Sequence, residues 1–253
     1  MKTMRNISLI AAALAVLATG PASAATWTYA STGPASNSGL TATASAYSAT
    51  NNTTATMTAT TAYYGGGLGV TTSGETLSSP QHAIDNNGAI ESVLISFSNG
   101  LGGITSADKV NLSSITVGWS NGDTDFSVYA YTGTATPSTT PLGLTYSNLT
   151  SNSWALIGHY NNSGTGTFAI TNSVYSSHWL IGAYNGLGSG MDKGDDYFKL
   201  ASVTGTKCPT TGTLPNGCGN GGTPPSGVPE PGTILLMGAG LLGLTRMSRR
   251  KSA

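Results

Sequence analysis

Leu112-Ser-Ser-Ile-Thr-Val-Gly-Trp119, then Ser120-Asn-Gly-Asp-Thr124, then Asp125-Phe-Ser-Val-Tyr-Ala-Tyr131 follow one another near the middle of the 253-residue chain. The first and third segments are rich in β-branched, hydroxyl and aromatic residues and alternate in the manner of strands. The second is a cluster of Asn, Gly and Asp, residues that turn the chain. The same grammar recurs on both sides. Ser92-Val-Leu-Ile-Ser-Phe97, Trp154-Ala-Leu-Ile-Gly-His-Tyr160, Gly166-Thr-Phe-Ala-Ile170, His178-Trp-Leu-Ile-Gly-Ala-Tyr184 and Asp196-Tyr-Phe-Lys-Leu-Ala-Ser-Val203 are all bounded by Gly, Asn, Asp or Pro. Upstream, Thr41-Ala-Thr-Ala-Ser-Ala-Tyr47 and Thr54-Ala-Thr-Met-Thr-Ala-Thr60 flank Asn51-Asn52 and read as a hairpin with a tight Asn turn, or else as a disordered Thr/Ala linker. No convincing amphipathic helix interrupts the series. The expectation is an all-β chain folded as a single, jelly-roll-like β-sandwich.

The two ends differ from this body. Met1-Lys-Thr-Met-Arg5 is a positive leader, Ile7 to Ala18 is apolar, and Ala22-Ser23-Ala24 is an Ala-x-Ala site, so cleavage is expected after Ala24. At the other end, Val228-Pro229-Glu230-Pro231-Gly232 precedes an apolar run from Thr233 to Leu244, and Arg246, Arg249, Arg250 and Lys251 follow as a basic stop. The two prolines lack amide donors and push Val228 and Glu230 toward extended backbone. From Pro231 to Thr245 the segment makes a helix of only about 22 Å, short of the roughly 30 Å hydrocarbon core. The mismatch can be met by snorkelling or bilayer thinning, and the cations hold the C-terminus on the cytoplasmic side. The segment is expected to be a transmembrane processing signal; a plain single-span anchor or a buried core helix is the alternative.

Both terminal segments are therefore set apart from the mature body, which changes the charge balance. The whole chain carries ten basic and ten acidic residues. Outside the signals only Lys109, Lys193, Lys199 and Lys207 remain, against nine carboxylates, for a net charge of −5. A body with so few cations has no footprint for nucleic acid, whose phosphates demand clustered Lys and Arg.

The tail, through Pro229-Glu230-Pro231, its apolar run and its basic stop, resembles a PEP-CTERM sorting signal. The resemblance implies recognition by an exosortase, a multi-pass inner-membrane transpeptidase of Gram-negative bacteria that also make an exopolysaccharide. It also implies transient residence in the inner membrane. A second resemblance concerns the body. Gly65-Gly-Gly-Leu-Gly-Val70, Ser79-Pro-Gln-His-Ala-Ile-Asp-Asn86, Glu91-Ser-Val-Leu94, Val117-Gly-Trp119, Asp125-Phe-Ser-Val128, Trp179-Leu-Ile-Gly-Ala183 and Asp196-Tyr-Phe-Lys-Leu200 resemble the XDP type of exosortase-dependent surface proteins. That resemblance implies neither an enzymatic activity nor a ligand.

Several polar groups could carry chemistry in the body. Asp85-Asn-Asn-Gly88, Asp123-x-Asp125 and Asp192-Lys-Gly-Asp195-Asp196 are oxygen-rich clusters of the kind a hard cation such as calcium prefers, with Asp85, Asp123, Asp125, Asp195 and Asp196 as candidate ligands. None has EF-hand spacing, and the plainer reading is that Asp, Asn and Gly cluster where the chain turns. His82, His159 and His178 lack metal-site spacing, and no Gly-x-Ser-x-Gly elbow supports a hydrolase. Trp27, Trp119, Trp154 and Trp179 read either as a sugar-stacking platform or as core. Cys208 and Cys218 are the only cysteines, and export to an oxidising compartment favours a disulfide between them, with free or intermolecular thiols as the alternative.

The expected organisation is a signal peptide over 1–24, a β-sandwich over 25–204, a Cys-loop and Gly/Pro/Thr stalk over 205–227, and the sorting signal over 228–253. Two function classes remain. One is a non-enzymatic surface or matrix protein associated with exopolysaccharide or biofilm; the other is a secreted glycan-binding module, calcium-dependent or not.

Overall fold

The computed structural model describes residues 23–209 except 30–32, 74, 76–81, 101–104, 106–107, 134–140 and 193, together with 214, 215, 217 and 218. The leader before Ser23 and the whole tail from Val228 onward, including Pro229, Glu230, Pro231, Arg246, Arg249, Arg250 and Lys251, lie outside the described residues, as does the Gly/Pro/Thr stalk. Among the described residues there is no α-helix, and none is long and apolar enough to cross a membrane.

The strands are β1 (Ala24–Thr28), β2 (Ala35–Asn37), β3 (Leu40–Ala49), β4 (Thr58–Tyr64), β5 (Leu68–Thr71), β6 (Ile84–Asp85), β7 (Ile90–Ser98), β8 (Val110–Ser120), β9 (Phe126–Tyr131), β10 (Trp154–Tyr160), β11 (Gly166–Ala169), β12 (His178–Ala183) and β13 (Tyr197–Lys207). All pair antiparallel, in the order β10-β9-β12-β7-β3-β4-β5-β13-β8-β11, with β2 on β3 and with β1 and β6 on β13. The all-β expectation holds, but its two layers are halves of one curled thirteen-stranded sheet. The joint is β4. Its first residues pair with β3 (Ala46 opposite Thr60, Ser48 opposite Thr58), and its last pair with β5 (Thr61 opposite Thr71, Tyr64 opposite Leu68). A strand that changes partner halfway along can turn the corner from one layer to the other.

The interior lies between the two halves. Trp27, Val70, Ile115, Val117, Phe198 and Leu200 come from the β13 half and face Ala42, Val93, Phe97, Phe126, Val128 and Ile181 from the β7 half. Trp27 and Phe97 meet edge to face with ring centroids 4.7 Å apart, and Trp27 Nε1 donates to the Leu40 carbonyl. A second cluster sits on the outer face of the β7 half. There Leu94, Tyr129 and Leu180 are covered by Met57, Tyr146, Leu149 and Trp154, with Tyr146 in the 3₁₀ turn Tyr146–Asn148 and Leu149 at its junction with the next one, Thr150–Asn152. Strands β7, β9 and β12 are thus buried on both faces, which is why Val93-Leu-Ile95 and Trp179-Leu-Ile181 are unbroken apolar runs.

The same cover explains why β3 and β4 are not joined by a tight Asn51-Asn52 turn. The link runs from Thr50 to Met57, and the Asn51 Oδ1 accepts from the amides of Thr53, Thr54 and Ala55 at 3.1, 2.8 and 2.9 Å. This wider loop carries Met57 into the outer cluster and pairs with the covering segment, Met57 N donating to Leu144 O at 2.7 Å and Ser147 N to Asn52 O at 2.9 Å. Three of the four tryptophans, Trp27, Trp154 and Trp179, are buried, so they form core and no sugar-stacking surface.

At the C-terminal edge, β13 continues through Lys207, so the boundary drawn after residue 204 falls inside a strand. Cys208 and Cys218 are joined by a disulfide with Cα atoms 5.5 Å apart. Both are buried, and Lys109 ties the loop to the sheet by donating from Nζ to Gly217 O at 2.9 Å. Ala24 is the first residue of β1 and pairs with Thr206, so cleavage after it leaves Ala25 to Thr28 in the ladder.

Candidate metal centre

The Asn121-Gly122 turn ends β8 and sends the chain across from one half of the sheet to the other, where β9 begins at Phe126. Gly122 takes a φ of +86°, a region that disfavours side chains, and the link from Asn121 to Asp125 is therefore short and fixed. Its residues bond to the segment just before β13. Asp123 bridges Asp196 in parallel and Ser163 in antiparallel fashion, Asn121 N donates to Tyr197 O, and Tyr197 N donates to Asp123 O, both at 3.1 Å. Two acidic segments far apart in sequence are thereby pinned side by side.

The carboxylates of Asp123, Asp125 and Asp196 converge, with ligand-capable oxygens all within 4.8 Å of one another. Those of Asp123, Asp192 and Asp195 meet the same criterion, so Asp123 belongs to both sets and the exposed pair forms a rim. Backbone donors orient the inner three. Asp196 Oδ1 accepts from Asp125 N at 2.8 Å, Asp125 Oδ1 from Asn162 N at 2.7 Å, and Asp123 Oδ1 from Thr124 N at 2.7 Å. Asn86 acts as a pivot: its Oδ1 accepts from the amides of Gly194 and Asp196, and its Nδ2 donates to Tyr184 O and Asp196 Oδ2. Asp125 is fully buried, yet its Oδ2 has no hydrogen-bond partner. Burial first, then the charges of Asp123, Asp192 and Asp195, push the Asp125 carboxyl up to about 6. Burial, followed by the charges of Asp125 and Asp123, pushes that of Asp196 up to about 7.

Asp85 does not join this group. At the short β6 strand it meets Glu75 and Glu91, again within 4.8 Å. Glu91 Oε2 accepts from Asp85 N at 3.2 Å, Glu75 Oε2 accepts from Thr72 N at 2.8 Å, and Glu91 Oε1 is buried without a partner. Burial, with the neighbouring acids adding to it, raises Asp85 to about 7 and Glu91 to about 9. Of the five aspartates proposed from sequence, Asp123, Asp125 and Asp196 come together, Asp195 stands at their rim, and Asp85 goes to a separate cluster. Asp192, Glu75 and Glu91 were not singled out as ligands. The available signal for Glu91 was an acid heading an apolar strand in a chain with few charges; Glu75 offered none.

The histidines remain separate from these clusters. His159 Nδ1 bonds Ser127 Oγ at 2.8 Å, His178 Nδ1 bonds Ser177 Oγ at 3.0 Å, and the His82 ring lies against Tyr63 with centroids 4.2 Å apart. Beside the pivot Asn86 a shallow cleft of about 220 Å³ is lined by Asn51, Asn52, Asn86, Asn185, Tyr184, Ile90 and Gly194. Trp119 is half-buried on the β13 half, with Lys199 Nζ 5.5 Å from its ring centre and 5.0 Å from that of Tyr63.

Comparison with known proteins finds a PEP-CTERM protein-sorting motif at residues 227–251. The chain thus carries the signal of an exosortase-targeted, exported protein that is anchored in the membrane transiently before cleavage. The match lies in the tail and lends no support to the XDP-type resemblance of the body. No curated protein and no solved structure matches the chain.

Proposed function

We propose that this protein is a non-enzymatic component of the cell surface or extracellular matrix, released from its membrane anchor by exosortase and associated with exopolysaccharide or biofilm. The sorting motif at residues 227–251 carries this reading. The body agrees with it. A charge-poor sheet with a doubly covered β7 half is suited to persistence outside the cell. Mass spectrometry of cell fractions from strains with and without the exosortase tests the reading. The expected result is loss of the segment after Pro231 only where the exosortase is present. Persistence of the intact C-terminal segment in both strains refutes it.

The second reading is a secreted glycan-binding module, and the observation in its favour is the Asn-lined cleft beside Tyr184. Amide groups are the chemistry that hydrogen-bonds sugar hydroxyls. A glycan array run with and without chelator separates the two: retention that depends on calcium supports the module, and no retention leaves the matrix role.

A further inference from the structure

We infer that Asp123, Asp125 and Asp196 form a calcium site that clamps the crossover between β8 and β9 to the start of β13, with Asp192 and Asp195 as an outer rim. Clustered acids are common on protein surfaces and prove nothing alone. Here a second observation points to a ligand: Asp125 is 0% exposed, and its Oδ2 is buried without any hydrogen-bond partner. An isolated buried carboxylate oxygen costs free energy that a bound cation removes. The spacing agrees. Calcium holds its oxygens at about 2.3–2.6 Å, so two ligands on opposite sides of one ion are about 5 Å apart, and the three carboxylates lie within 4.8 Å of one another.

The donor set is all oxygen, without His or Cys, which suits a hard cation rather than zinc. The ligands come from two loop segments and not from a preformed octahedral cage, which suits the looser coordination of calcium over magnesium. Backbone amides already hold one oxygen of each inner carboxylate; the second oxygen of Asp125 has no partner and faces an ion, while that of Asp196 also accepts from Asn86. Asp196 immediately precedes β13, whose eleven residues carry the chain about 36 Å to Lys207, so the site stands at the opposite end of that strand from Cys208.

The test uses the full-length protein in detergent, stripped with chelator and then given calcium. Equilibrium dialysis against radioactive calcium should show one ion per chain, with a Kd on the order of 0.1–1 mM as in extracellular modules. At free calcium about 100 times Kd the unfolding equilibrium constant should fall about 100-fold, while magnesium at the same concentration leaves it unmoved. Asp125→Asn should abolish the effect. Asp192→Asn and Asp195→Asn, at exposed positions, should weaken calcium binding a few-fold without destabilising the metal-free protein. Glu91→Gln should bind calcium like the parent. Unfolding that ignores calcium, an equal response to magnesium, wild-type binding in both rim variants, or loss of binding in Glu91→Gln would each overturn the assignment.

Discussion

Replacing Glu91 by Gln should make the protein more stable at neutral and alkaline pH and leave it nearly unchanged in acid. Glu91 is almost fully buried at the head of β7; one oxygen accepts from Asp85 N and the other has no partner. Burial first, then the charges of Asp85 and Glu75, raise its pKa from 4.5 to about 9. The folded state therefore keeps a proton that the unfolded chain releases above pH 4.5. A raised folded pKa gives stability that is fully present below the unfolded value and is lost as pH climbs through the folded one. At 1.36 kcal/mol per pH unit, the loss accumulated by pH 7 is on the order of 3 kcal/mol. Glutamine keeps an oxygen to accept from Asp85 N and has nothing to ionise, so this loss disappears.

The assay is urea unfolding of both proteins in chelator at pH 5, 7 and 8. Near pH 5 the two curves should lie within about 1 kcal/mol, the usual worth of one neutral hydrogen bond. At pH 7 the variant should lead by about 3 kcal/mol, or about 6–12 °C in melting temperature for a domain of this size. Parallel pH profiles would refute the reasoning, since they would mean that Glu91 ionises in the folded protein as easily as in the unfolded one.

Acid should reveal the opposite sign at His178, whose burial lowers its pKa from 6.5 to about 4. Its contribution is lost as pH falls from 6.5 to 4, up to about 3 kcal/mol, and His178→Gln should flatten that part of a chemical-denaturation profile. Trp27→Ala removes one of the two largest side chains between the halves and its bond to Leu40 O, and should cost about 3–5 kcal/mol, read as a lower urea midpoint at unchanged slope. Reducing the Cys208–Cys218 disulfide opens a loop of ten-residue separation and should cost about 3 kcal/mol, seen as a lower melting temperature in reductant.

How far the fold can be read in advance depends on which face of each strand is covered. Val93-Leu-Ile95 and Trp179-Leu-Ile181 announce themselves because two hydrophobic clusters bury them from opposite sides. β4 does not, because none of its residues is fully buried and its Thr and Ala residues say nothing about a change of partner from β3 to β5. The single curled sheet depends on that strand, so two separate layers were the natural expectation. The acidic centre was half visible. Asp123-x-Asp125 and Asp195-Asp196 each stand out locally, but their meeting rests on the bridge between Asp123 and Asp196, a contact between segments with no shared pattern. Asp85 looks equivalent to them in sequence, and only its place opposite Tyr197 in β6 assigns it to Glu75 and Glu91 instead.

The position of β13 ties the body to its sorting. Among the described residues β13 is the last strand in sequence, yet it pairs with β1, β5, β6 and β8, so the β13 half cannot close until the chain has been exported through Lys207. Only Cys208, its disulfide loop and the residues before Pro229 then separate the finished sheet from the motif. The ten residues between Cys218 and Pro229 reach at most about 36 Å when fully extended. That length is the most that can separate Cys218 from the motif. Deleting residues 219–226 should therefore slow tail removal while leaving urea unfolding of the body unchanged. Unaltered processing of the shortened chain would show that the folded sheet does not limit access to Pro229-Glu230-Pro231.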